Sequence, residues 1–314
     1  MKMSCIGVLM SLSFAASVAR GGAAPAAELP HPQAGEFQKV VPPTRQAMDL
    51  TVPCVRVEQM PVLDGKGDDA VWRDAPEVKT LDNASQREIV LRAVHTADEI
   101  AFLVSYPDAA ASVTHKSWTW DPKEEVYKPC GDREDLLVLK FSMSGPNADL
   151  AIRDGEPHRA DIWFWKACRT NPMGYADDKW QTVAKDATKD AVTINGPHGA
   201  AYLKRGGDKG KANYEDVLPG EYEGPVVKGF KMQEPSGSRA DIRAKGAWRD
   251  GRWTIELARK LKTGNDDDVP LEVGGTYLFG VTCYEMAGTG LEKDTFQPLY
   301  RMGDVFDRLH LEVK

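Results

Sequence analysis

Apolar and polar positions trade places on a period close to two through much of the chain. The runs Arg87–Val94 (REIVLRAV), Glu99–Tyr106 (EIAFLVSY), Glu134–Phe141 (EDLLVLKF) and Ala160–Ala167 (ADIWFWKA) are short and rich in β-branched and aromatic residues. Arg252–Leu257 (RWTIEL), Thr276–Tyr284 (TYLFGVTCY) and Val305–Val313 (VFDRLHLEV) continue the habit. Gly, Pro, Asp and Asn separate them, as turns separate strands. Asp250-Gly251, between Trp248 and Trp253, is a two-residue hairpin signal. No long stretch carries the helical repeat. The pattern predicts an all-β fold: an antiparallel β-sandwich, of immunoglobulin-like or jelly-roll type, over residues 52–314. One segment breaks the rhythm. Residues 185–241 repeat Gly, Pro, Lys and Asp with little periodicity, and read as a long loop insertion, a functional cover or an excursion without order.

The chain's beginning follows a different pattern. Residues 1–19 (MKMSCIGVLMSLSFAASVA) place Lys2 before a short apolar run that ends in Ser17-Val18-Ala19, a small-x-small cleavage site. This predicts a secretory signal peptide and a periplasmic or secreted protein. The apolar run is too short for a membrane span. Residues 20–51, rich in Ala, Pro and Gln, read as a flexible leader. Loss of the signal removes one Lys and no acid, which takes the net charge from −7 to −8. With 40 basic against 47 acidic residues there is no excess to hold a phosphate backbone, so nucleic acid is not an expected partner. Of five cysteines, Cys5 leaves with the signal. Cys54, Cys130, Cys168 and Cys283 then admit three disulfide pairings or buried free thiols. No Cys-x-x-Cys occurs, which excludes zinc fingers, thioredoxin-type redox sites and covalent c-type haem attachment. Nor is there a Gly-x-Ser-x-Gly, His-Glu-x-x-His, Walker A or dinucleotide fingerprint, so catalysis has no support in the motifs.

Five segments carry a family resemblance. Leu63–Trp72 (LDGKGDDAVW), followed by Asp74-Ala75-Pro76, resembles the opening strand and turn of family-9-type carbohydrate-binding sandwiches. Tyr106-Pro107-Asp108 and Trp248–Arg259 (WRDGRWTIELAR) are similar to two later hairpins of the same group. Asp132–Met143 (DREDLLVLKFSM) and Asp161–Ala167 (DIWFWKA), with Gly174–Asp178 (GYADD) downstream, resemble the branch that binds haem in place of sugar. That branch contains the ethylbenzene dehydrogenase gamma subunit and the haem-binding domains of periplasmic molybdenum enzymes of the dimethyl sulfoxide reductase class. The resemblance spans roughly residues 52–313.

The resemblance implies a non-covalent haem b held by one Met and one Lys. Met143, at the end of its strand, matches the methionine. Lys293, in Leu291-Glu292-Lys293-Asp294, is the nearest lysine, although the residues after it depart from the family pattern. A thioether is a soft, neutral ligand that raises a haem potential. A lysine amine must first lose its proton, which needs a desolvated pocket. His115, beside a Trp-rich turn, is the substitute ligand, since imidazole is a common haem ligand; His95 and His310 read as packed or surface residues. Trp118, Trp120, Trp163 and Trp165 are candidate porphyrin walls, and Lys166 a candidate propionate contact. Trp163 and Trp165 fall on one side of a strand, which suits a binding platform for a porphyrin or a sugar ring, and equally a sandwich core. Asp266-Asp267-Asp268 looks like a fragment of a calcium loop but lacks the spaced ligands and glycine, and reads as a solvated turn.

Two functions follow. The first is a periplasmic haem b-binding electron-transfer protein or subunit, not itself an enzyme, passing electrons between a partner oxidoreductase, such as a molybdenum enzyme, and a soluble cytochrome. The second is a carbohydrate-binding sandwich without haem. An orphan structural domain is a third possibility.

Overall fold

The computed structural model describes residues 43–152, 155–196, 199–284 and 305–314. In chain order the elements are β1 (Asp49–Arg56), a single-turn helix α1 (Ala70–Asp74), β2 (Val78–Leu81), β3 (Glu88–His95) and β4 (Glu99–Pro107). Next come β5 (Trp118–Asp121), β6 (Val126–Pro129), β7 (Leu136–Ser142), β8 (His158–Lys166) and β9 (Asp177–Ala184). They are followed by β10 (Val192–Gly196), β11 (Gly199–Gly207), β12 (Tyr214–Asp216), β13 (Val226–Val227) and β14 (Phe230–Met232). The last are β15 (Arg243–Arg249), β16 (Arg252–Lys260), β17 (Thr276–Tyr284) and β18 (Arg308–Val313). All seven runs of alternating residues are strands, and Asp250-Gly251 forms the β15–β16 hairpin turn. No helix among the described residues is long and apolar enough to cross a membrane.

Among the described residues one sheet runs β10-β11-β9-β8-β7-β17-β18-β1-β3-β4-β16-β15, with β2 on β3. It is antiparallel except at β1, which pairs parallel with both β18 and β3. The expected all-antiparallel sandwich is therefore mixed at its centre, because the first strand enters between two strands that already run its way. The sheet folds over on itself. Phe102 of β4 meets Trp163 of β8 edge-on at 5.7 Å and the Phe279 ring of β17 at 5.8 Å. Trp165 meets Trp253 of β16 at 4.9 Å. A bridge between Tyr175 and Arg243 ties the β9 end to β15. These contacts define the two layers and the core between them.

The segment 185–241 contains β10 to β14. β11 extends the main sheet along β9, and Ile194, Ala201 and Leu203 bury with Val183 and Ile152 in a small core of their own. Its glycines disguise the strand. A Cβ on Gly206 would strike the Trp180 ring, and one on Gly207 the Arg239 guanidinium. Bulky neighbours, not flexibility, call for glycine there. β12 pairs with β14, and β13 adds to the β5–β6 hairpin.

The motif residues hold the layers together. Glu256 of β16 accepts the Asp64 and Gly65 N–H groups at 3.0 and 2.8 Å and Trp72 Nε1–H at 2.9 Å, which fastens the loop before α1 to the sheet. Gly65 has φ +77°, and its missing Cβ would lie 2.6 Å from the Ala247 nitrogen, so only glycine fits. Trp253 Nε1 donates to Asp135 Oδ2 at 3.0 Å. Arg259, on the core face of β16, donates to Asp161 Oδ2 at 2.7 Å and Asp268 Oδ1 at 2.9 Å and lies over the Trp163 ring. Cys54, Cys130, Cys168 and Cys283 are all free thiols. Burial raises the Cys168 thiol to about 11, so it stays protonated.

Candidate functional site

β7 separates two groups of sequence-predicted residues. Glu134 and Asp135 lie just before its start. Glu134, fully buried, accepts the Cys168 and Arg169 N–H groups at 2.6 and 2.9 Å and pairs with Arg169 Nε at 2.5 Å. His115 Nδ1 stands 3.4 Å from the same carboxylate and makes no hydrogen bond. Burial, reinforced by Arg169, Lys116, Arg133 and Lys166 nearby, pushes His115 down to about 2, so its ring is neutral. Arg169 and Lys166 converge on the Tyr214 hydroxyl, at 3.4 and 2.7 Å. Lys166 Nζ also donates to Asp177 Oδ2 at 2.5 Å. Burial lowers the Lys166 ammonium to about 8 and raises the Tyr214 phenol to about 12. Burial alone would raise the Asp177 carboxyl, but Lys166, Lys179 and Arg239 outweigh it and hold that group below the usual range. This end of the sandwich is an ionic network in which Arg169 links Glu134, the neighbour of His115, to Tyr214, the partner of Lys166.

At the other end of the strand, Met143 follows β7 directly. Its N–H bonds to the Arg159 carbonyl at 2.9 Å, and its side chain packs half-buried against the main core. It lines a cavity of about 370 Å³ together with Val269, Pro270, Tyr277 and Leu278. The volume is within the range of small-molecule pockets. A neutral sulfur on a largely apolar wall has the donor chemistry that one axial position of a haem requires, so Met143 fits. His115 cannot share that iron. Glu134, its neighbour, precedes β7 and Met143 follows it, and β7 alone spans about 20 Å at ~3.3 Å per residue. Lys293 lies outside the described residues.

The tryptophans divide. Trp163 and Trp165 are both 0 % exposed, built into the core against Phe102, Phe141 and Trp253. They present no ring face to solvent, so the even choice between platform and core falls to core. Trp118 on β5 is half-buried, and its Nε1 occupies the space beside Gly229. Trp120, also half-buried, meets Tyr127 and the exposed Tyr222 edge-on. Lys166 has its donors engaged by Asp177 and Tyr214, which leaves little for a propionate. The cavity of about 840 Å³ beside α1, lined by Lys66, Glu77, Glu88, Arg92 and Arg252 among others, contains none of the predicted residues.

Sequence reading missed Arg169, Tyr214 and Asp208. Arg169 and Tyr214 lie outside any motif, and 45 positions separate them. One signal was available for the acids. Asp161 shares the face of Trp163 and Trp165 by strand alternation, and Asp178 pairs directly with Trp163, so both had to enter the core.

A family model described as ethylbenzene dehydrogenase matches residues 55–294. The chain belongs to this ethylbenzene dehydrogenase family. No curated protein matches it. Among solved structures it is similar to a proposed carbohydrate-binding protein from Bacteroides uniformis, with 12 % identity, a TM-score of 0.37, and coverage of 85 % of this chain and 100 % of that one. The ethylbenzene dehydrogenase match takes in Glu134, Met143, the Asp161–Ala167 strand and the β15–β16 hairpin.

Proposed function

We propose that this chain is a periplasmic haem b-binding electron-transfer component of an oxidoreductase, with Met143 as one axial ligand and no covalent link to the porphyrin. The position of Met143 carries the reading: it ends the strand that the family-like Glu134-Asp135 begins, with its side chain on an apolar-walled cavity. Family membership supports the association with an oxidoreductase. Bound haem would supply a one-electron carrier; the protein would supply a neutral sulfur, apolar contacts from Val269, Pro270 and Leu278, and the packed core behind them. Lys293 is the proposed second ligand. A charge of −8 after signal removal suits docking to a basic partner, a molybdenum enzyme or a soluble cytochrome.

Protein exported to the periplasm should show a Soret band that shifts on reduction and a haem b pyridine haemochrome. Met143→Ala should change that spectrum and lower the reduction potential, since loss of a thioether favours the ferric state. A colourless protein that takes up no added haemin would overturn the reading; an unchanged Met143→Ala spectrum would reject only the ligand. Burial of Trp163 and Trp165 removes the platform on which the carbohydrate-binding reading rested.

A further inference from the structure

Near the Met143 end of the core, the sandwich holds more negative charge than its cations balance. Asp161 and Asp178 are 0 % exposed, and Asp268 is 3 % exposed. Each offers a carboxylate oxygen within 4.8 Å of the others. Arg259 is hydrogen-bonded to Asp161 Oδ2 and Asp268 Oδ1. Asp161 Oδ1 has no partner, and neither oxygen of Asp178 has one. Asp208, its amide bonded to the Asp178 carbonyl at 3.3 Å, likewise has two buried oxygens without partners. Asp267 differs: Ser238 Oγ–H and the Lys209 N–H satisfy it. The expected solvated turn at 266–268 holds only for Asp266; its two neighbours face inward.

Ionised carboxylates without partners at this depth cost several kcal/mol each unless a counter-charge meets them. We propose that Asp161, Asp178 and Asp268 form a Ca²⁺ site, with Asp208 beside it. The donor set is oxygen only, without Cys or His, which selects a hard cation over Zn²⁺ or copper. Oxygens bound to one Ca²⁺ at about 2.3–2.6 Å stand at most about 5 Å apart, the span observed, whereas Mg²⁺ requires a tighter octahedron and keeps several waters. A cavity of about 580 Å³, lined by Trp180, Asp208 and Asp267 among others, lies on the Asp208 side of this cluster. The ion would join β8, β9 and the turn after β16 at one point, beside Arg259; one of its ligands, Asp268, also lines the Met143 cavity. The rival arrangement keeps the same carboxyls protonated, and burial together with Asp161 does push Asp178 upward.

The test uses the full mature chain. Elemental analysis of protein as purified should find about one Ca²⁺ per chain, and EGTA treatment should lower the melting temperature by several degrees, with Ca²⁺ restoring it and Mg²⁺ at the same concentration failing to. Asp178→Asn should weaken Ca²⁺ binding about 10-fold or more, while Asp266→Asn should leave it unchanged. Failure of the wild-type chain to bind Ca²⁺ at millimolar concentration, or identical melting in Ca²⁺ and EGTA, overturns the proposal. So does an Asp178→Asn chain that binds Ca²⁺ as tightly as wild type. If Asp178→Asn does not fold, the wild-type measurements alone decide.

Discussion

Single residues in this protein carry joints between distant segments, and Glu256 shows how much can rest on one. It is fully buried, and its two oxygens accept three N–H donors from the loop and helix that precede β2. Glu256→Gln keeps the shape but replaces one acceptor with an NH₂ that faces donors. The expected cost is about 1–3 kcal/mol in urea unfolding, the range for a buried donor left unmet. Gly65→Ala attacks the same joint from the other side, through positive φ and a clash with the Ala247 backbone, and should cost a similar amount. If both variants unfold at wild-type urea concentrations, this joint contributes nothing. The residue scale also explains why the tryptophan pair was ambiguous from sequence. Alternation places Trp163 and Trp165 on one face, but only the sheet's fold onto β4 and β16 decides whether that face meets solvent or Phe102 and Trp253.

Strands were legible because period two is a local property, and every alternating run became one. What joins them is not local. β10 and β11 were hidden by Gly206 and Gly207, whose space Trp180 and Arg239 take. The parallel placement of β1 depends on partners more than 30 positions away in sequence. The resemblance singled out Met143 and the strand that carries Asp161, but not the burial of Asp161, Asp178 and Asp268 together. Arg259 is the clearest inter-element clamp, reaching from β16 to Asp161 on β8 and Asp268 in the following turn. Arg259→Met fills much of the volume and leaves two buried carboxylates without their cation. It should destabilise the fold by about 3–5 kcal/mol, or prevent accumulation of folded protein. A variant as stable as wild type would show that the clamp is dispensable to the sandwich.

For the whole molecule, acid is the condition that sums these local arrangements. His158, buried on β8, donates Nδ1–H to the Glu156 carbonyl, and its Nε2 has no partner. Burial, then the nearby Lys140, lowers it to about 4 from an unfolded value near 6.5. A depressed base stays neutral in the native state while the unfolded chain takes up the proton, so the unfolded state binds more protons throughout that window. Stability from this group is complete above about pH 6.5 and declines as pH falls toward 4. Between pH 7 and pH 5 the loss is about 2 kcal/mol, from 1.36 kcal/mol per unit. In the chain without bound metal, Asp208, raised to about 7 by burial, works the other way, because the native state then holds a proton that the unfolded state releases. The wild-type profile is the difference of opposing slopes, so a single curve cannot assign either. His158→Gln isolates one of them: its amide can replace the bond to Glu156 but does not titrate. Urea unfolding at pH 7 and pH 5 should show the variant losing about 2 kcal/mol less than wild type over that interval. Equal losses in both chains would place the acid sensitivity of this sandwich on groups other than His158.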